Sequence, residues 1–454
     1  MRTGSWMSAT DARDQGRALR EQVPHGTHER VRLPAQRQSV QQFLQACAVG
    51  RVPELLPLRH GRMSVDAFGF FRGSAGLMAH DLAQDPVTGL SAQICGDAHA
   101  ANFGLYGGHG GHVVMDINDF DDTVVGPWEW DLKRLAASLV LAARVSGASQ
   151  QVSHKAARHA ARSYRRAFEH LAGLPFLESW MALGDEAAIE NAQADALLDD
   201  FAAASDKAAR NTGEKVAAKL TRRDDQGKWC FLREPPILSA VDDATRRHVL
   251  GGLAGYVGSL RESRQHLIAR YRPCDVAMRV VGTGSVGMRV YVVLLQGNDR
   301  EALILQVKQA CPSALAPYLP VVTVAHEGAR IVHGARLVQA ETDLLLGWTD
   351  VDDRPYIVRQ FRNRKGSIDP TQLPPGHLDD YGRLAGSLLA RAHSRTMDPR
   401  MMAGYTEDGT EFDTAIANYA LTYADQAERD HAEMVTLIRD GQIDSNASAA
   451  ATQP

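Results

Sequence analysis

A chain of 454 residues is long for one apolar core, so two lobes or two domains are expected. With 44% hydrophobic residues and a formal charge of −4 it reads as a globular protein without the basic field that phosphate backbones attract, and nucleic-acid binding is not expected. Five scattered cysteines with no C-x-x-C pair argue against a disulfide framework and a thiolate zinc site, which fits a reducing cytoplasm.

Residues 1–30 read as a flexible lead-in, mixing Arg, Asp and Glu without an apolar stretch. No later run approaches bilayer-spanning length, so neither secretion nor a membrane partner is expected. Helices are expected over residues 39–48 and 74–83, the second ending before the Pro86 and Gly89 turn signals. Residues 90–95 form a strand delivering Gly96-Asp97, and residues 111–117 form a β-branched strand delivering Asp119. Pro127 then opens a helix over 128–146, in which Trp128 and Trp130 are core anchors.

Residues 150–220 are helical in periodicity with a break near Gly173 and Pro175, and a second helix-rich stretch covers 242–271. Beyond Pro273 the texture changes. Strands at 276–281, 288–296 and 302–307, a helix at 327–339, and strands at 344–347 and 356–360 make a small α+β unit. Helices return over 378–395 and 413–438, and residues 441–454 read as a disordered tail. The division is a helical catalytic lobe over 31–271, a β-rich nucleotide-binding lobe over 272–365, and helices returning to the large lobe over 366–440.

The stretch Gly96-Asp97-Ala98-His99-Ala100-Ala101-Asn102, followed by Asn118-Asp119-Phe120-Asp121-Asp122, carries the chemistry. In kinase-type catalytic loops an Asp that acts as base stands five residues before an Asn that ligands Mg²⁺, and a second Asp holds the metal from a following turn. Asp97, Asn102 and Asp119 occupy those places in order, with Asp116 the second choice for the metal. One carboxylate and one amide oxygen suffice, because Mg²⁺ keeps water and phosphate oxygens in its shell. His99 fits better as a core histidine than as a ligand.

Gly282-Thr283-Gly284-Ser285-Val286-Gly287 is a weak signal alone, but the β-branched run after it favours a hairpin over phosphates rather than a dinucleotide fold. The backbone at Gly282, Gly284, Ser285 and Gly287 would line the phosphates, Lys308 on the next strand would pair with them, and Glu327, or less well Glu341, would orient the lysine. Arg72, Arg330, Arg336 and Arg359 could grip phosphate or simply pair with carboxylates. The glycine hairpin follows the catalytic loop instead of preceding it, so the reading requires a circularly permuted chain.

The pattern G-D-x-H-x-x-N-F-G, then N-D-F-D, then G-P-W-E-W-D-L-K-R-L-A resembles a bacterial family labelled as a domain of unknown function, family 2252, over about residues 59–430. Residues 96–102 are more distantly similar to the H-G-D-L-H-P-G-N loop of aminoglycoside and choline kinase-like phosphotransferases, and Asp119-Phe120-Asp121-Asp122 to their D-F-G-D. Asp131-Leu132 matches their structural D-L-A, while Cys95 stands where that loop has its first His. The resemblance implies a bilobal, protein-kinase-like α+β fold with a largely helical larger lobe, using ATP and Mg²⁺ on a small hydroxylated molecule. A protein substrate is disfavoured because the span from Asp119 to Asp131 is too short for a regulated activation segment, and Asp121, Asp122 and Glu129 suggest a cationic acceptor. The rivals are a two-metal phosphoesterase on Asp97, His99, Asp116 and Asp119, and a non-catalytic nucleotide-binding regulator.

Overall fold

Among the described residues helices predominate, and the strands gather into one six-stranded antiparallel sheet and three two-stranded ribbons. The computed structural model describes residues 7–446 apart from 109–110, 183–185, 236, 281–285, 299–300, 322 and 363. The strands are β1 (Ser91–Ile94), β2 (Phe103–Gly107), β3 (Val113–Ile117), β4 (Val124–Pro127), β5 (Thr221–Arg223), β6 (Trp229–Phe231), β7 (Leu238–Ala240), β8 (Arg272–Arg279), β9 (Val290–Gln296), β10 (Ala302–Gln309), β11 (Gly347–Val351) and β12 (Arg354–Gln360). The large sheet runs β11-β12-β10-β9-β8-β7, while β1 pairs with β4, β2 with β3, and β5 with β6.

Helix Trp128–Val145 is the axis of the main core. Ala, Leu and Val dominate it from Leu135 onward and the charged residues of its first two turns are buried as well, so it is covered nearly all round, and Trp128 and Trp130 are core residues as their sequence predicts. Glu129 and Asp131 in its first turn suit the positive end of the helix dipole. Helix Gln150–Gly173, capped by Ser149, packs along helix Pro375–Ser394. The second helix brings glycines to the crossing: a Cβ on Gly386 would sit 2.2 Å from the Ala160 carbonyl oxygen.

The β-rich unit is built from hairpin β8–β9, strand β10, helix Glu327–Val338 and hairpin β11–β12, with β12 lying beside β10. Lys308 pairs in register with Val290 on one side and Ile357 on the other, at the centre of the sheet. The sheet has apolar clusters of its own, yet Ala310, Ile331, Val332, Ala335, Val338 and Ile357 belong to the main core. Helix Glu327–Val338 therefore packs against both the sheet and the helical body.

Several boundaries differ from the sequence reading for tertiary reasons. Residues 9–22, expected within a flexible lead-in, form a helix capped by Ser8 whose Ala12 and Gly16 are buried against helix Pro399–Tyr405. The strand expected at 344–347 starts at Gly347, because Asp343 turns the chain there by accepting from Leu345 N and Gln360 N. Of the expected tail, residues 447–454 lie outside the described residues. No described helix is long and apolar enough to cross a membrane.

Replacing Gly386 by Ala forces the two helices apart and should cost about 1–3 kcal/mol, the usual range for overpacking. Urea unfolding would report it as a lowered midpoint; an unchanged midpoint would mean the crossing is looser than described.

Candidate active site

Strand β1 ends in Cys95 and Gly96, whose backbone N–H groups both donate to the Asp131 carboxylate, at 2.8 and 3.0 Å. Asp131 is in turn 3.3 Å from His393 Nε2, so a buried acid at a helix start fixes the turn that carries Asp97. Gly96 is required there twice over. Its φ is +80°, and a Cβ would lie 2.3 Å from the Asp122 carbonyl oxygen. The Asn102 amide nitrogen donates to the carbonyls of Asp97 at 3.0 Å and Asp119 at 3.3 Å, stitching the two acidic segments together.

Asp97, Asn102 and Asp119 are thus neighbours, as their spacing suggested. Arg134 Nε donates to Asp97 Oδ1 at 2.6 Å, and the same guanidinium bonds the Phe71 carbonyl and lies over the Phe71 ring. Burial pushes the Asp97 carboxyl pKa up, against the pull of Arg134. His99 is a buried ring edge-on to Phe68, 3.7 Å from Asp97 Oδ2, and burial together with the charges of Arg72 and Arg134 keeps it neutral.

Lys308, from β10, is only 3% exposed, and its ammonium contacts Asp121 Oδ2 and lies 3.7 Å from Asp119 Oδ1. The two half-sites, 187 residues apart in the chain, meet at this pair. Asp119 keeps its carboxylate 46% exposed, and although burial works against its charge, Lys308 and Arg359 hold its pKa below the usual carboxylate range. Burial, reinforced by the Asp119 charge, pushes Asp121 up to about 6, and its Oδ1 is buried without a hydrogen-bond partner. Asp122 is tied down by Ala314 N at 2.7 Å, with its carbonyl accepting from Ser313 Oγ at 2.8 Å.

Other expected site residues stand elsewhere. Asp116 is fully buried; its oxygens take Arg391 at 2.5 Å, Ile117 N at 2.9 Å and Ala340 N at 3.0 Å, which leaves Asp119 as the open carboxylate. Glu327 accepts from Arg330 Nε at 2.5 Å rather than facing Lys308. Arg330 is no phosphate clamp: it donates to the carbonyls of Thr123, Asp121 and Cys311. Gly282, Gly284 and Ser285 lie outside the described residues, while Gly287, at φ +91°, accepts from Val52 N at 2.7 Å. Glu129 does not point into the cleft; Thr88 holds it in the core through its N–H and hydroxyl, both at 2.7 Å.

The donor set fits a hard cation held by few protein ligands. Among the described residues no three His, Cys, Asp or Glu side chains form a metal cage. The half-open Asp119 carboxylate, the orphaned Asp121 Oδ1 and the Asn102 amide suit Mg²⁺, which takes the rest of its oxygens from phosphate and water. Two small spaces flank Asp119. One, of about 130 Å³, is lined by Asp97, Asp121, Arg59, Arg72 and Met288; the other, of about 60 Å³, by Phe120, Ile331, Ile357, Arg359 and Lys365. Burial and the Arg359 charge bring the Lys365 ammonium down to about 7.

Sequence reasoning missed Arg134, although it stands one helical turn beyond Asp131 and so shares the helix face that meets the loop. Arg391 gave no such signal, since its partner Asp116 comes from a distant strand, whereas Arg330, weighed between phosphate and a carboxylate, pairs with Glu327 on its own helix. The family model described as "Uncharacterized protein conserved in bacteria (DUF2252)" matches residues 51–437, and the chain belongs to that family. No curated protein and no solved structure gave a match.

Glu129 yields a pH test of the packing behind the site. Burial raises its pKa from 4.5 to about 7, so between those values the folded chain holds a proton that the unfolded chain releases. Stability from this group is therefore complete at low pH and is lost as pH rises through 7. Glu129→Gln removes the loss, and its advantage over the native chain should grow from pH 4.5 to 8, reaching about 3 kcal/mol. A difference in melting temperature that does not vary with pH would contradict it.

Proposed function

We propose that the protein is an ATP- and Mg²⁺-dependent phosphotransferase acting on a small hydroxylated molecule, with a kinase-like, circularly permuted arrangement. The observation that carries this reading is the meeting of Lys308 with the Asp119–Asp121 turn beside Asp97. The order of glycine hairpin, lysine strand and following helix is also that of kinase-type nucleotide sites.

In this reading Asp119 and Asn102 hold the metal, which when bound neutralises phosphate charge, and Lys308 exchanges Asp121 for phosphate oxygens. A bound nucleotide also needs more room, because about 130 Å³ beside Asp119 is well below the few hundred that bound ligands occupy. Asp97 orients the acceptor hydroxyl and takes its proton, with Arg134 fixing the carboxylate and burial raising its basicity. The two-metal phosphoesterase is less well supported, since Asp116 is spent on Arg391 in the core.

Thermal shift with and without Mg²⁺, followed by phosphoryl-transfer assays against a panel of small alcohols, tests the proposal. MgATP should raise the melting temperature by mass action. Lys308→Ala and Asp119→Asn should lose that shift, while Asp97→Asn should keep it and lose turnover by about 10²–10⁴-fold, as expected for removal of a base. No shift with any nucleotide would overturn the proposal, and a shift without turnover that Asp97→Asn leaves unchanged would favour the regulator.

A further inference from the structure

Away from the acidic turn, a cavity of about 440 Å³ lies between helix Gln150–Gly173 and helix Pro375–Ser394, with helix Glu186–Ala192 closing a third side. It exceeds both spaces beside Asp119 and falls in the size range of small-molecule sites. Among the described residues its wall carries four arginines and no Asp or Glu.

Two of these charges are already used. Arg391 holds Asp116 at 2.5 Å, and Arg383 lies 3.5 Å from both Asp379 and Asp380. Arg162 and Arg166 are different. They stand four residues apart on one helix face, where like charges repel. Arg166 donates to the neutral amide of Gln193 at 3.1 Å, and burial together with the Arg166 charge pulls the Arg162 pKa down against the attraction of Asp413. Arg166 is exposed and Arg162 half-buried, whereas the leucines of the wall lie deeper, Leu171 and Leu388 buried and Leu174 half-buried. A charged mouth over an apolar floor suits a ligand with the same polarity along its length.

We infer that this cavity binds an amphipathic anion, its carboxylate or phosphate held between Arg162 and Arg166 and its hydrocarbon body against Leu171, Leu174 and Leu388. Planar guanidiniums bind both head groups in a bidentate manner. The assignment is independent of the phosphotransferase reading, because it uses none of the residues of the acidic turn.

Isothermal titration of the full-length protein with decanoate and decyl phosphate, set against inorganic phosphate and decanol, tests it. One or both amphiphiles should bind saturably, and head or tail alone at least tenfold more weakly. Comparison of the two amphiphiles separates a carboxylate ligand from a phosphate one. The double substitution Arg162→Ala/Arg166→Ala should weaken binding by tenfold or more, and Arg166→Gln at an exposed position should weaken it even if the double variant folds poorly. Asp119→Asn should leave it unchanged. Absence of saturable binding, binding indifferent to both arginine variants, or binding lost in Asp119→Asn would each overturn the inference.

Discussion

A lysine ammonium that is 97% hidden from solvent must meet a carboxylate, because a buried charge without a partner is far too costly to keep. Lys308 stands at the middle of the six-stranded sheet, and its partners come from a turn encoded much earlier in the chain. This requirement fixes how the sheet sits on the helical body. Arg330 secures the backbone beneath it, donating to Thr123 O at 2.6 Å and to Asp121 O and Cys311 O at 2.8 Å each. Glu327 holds Arg330 in that pose, so its influence on Lys308 passes through one further residue.

The acids of this region divide by what their oxygens have left to do. Asp131 and Asp116 are buried and their oxygens are taken by backbone N–H groups and a cationic or imidazole partner, which is how a fold uses a carboxylate for support. Asp119 stays half open, and Asp121 keeps one oxygen without a donor. Burial raises Asp97 and Asp121 while Lys308 and Arg359 hold Asp119 down, so neighbouring carboxyls differ in their readiness to carry charge. Divergent pKa values within one cluster are what acid–base and metal chemistry require.

The local parts of this arrangement were legible in the sequence. The spacing of Asp97, Asn102 and Asp119 put three polar groups on successive turns, and β-branched runs gave β8 to β10 with Lys308 among them. Helix Trp128–Val145 followed from its apolar periodicity and from Pro127. What escaped was set by contacts between distant segments. In sequence Glu327 could serve either Lys308 or Arg330, one turn along its own helix, and only the packed structure decides for Arg330. The strand position of Asp116 already ranked it behind Asp119, but the partner that occupies it, Arg391, stands far along the chain and left no local trace. The helix Ala9–Gln22 has few apolar residues and is held by its fit against Pro399–Tyr405.

The most direct test of the central claim, that Lys308 and the acidic turn share one buried site, is a double-mutant cycle on unfolding free energy with Lys308→Met and Asp121→Asn. Each single change leaves a buried charge or polar group unpaired and should cost about 3–5 kcal/mol, while the double change should cost clearly less than the sum, with a coupling of at least about 1 kcal/mol. Strict additivity of the two losses would mean that the two groups do not meet, and the account of the site built on their meeting would fail.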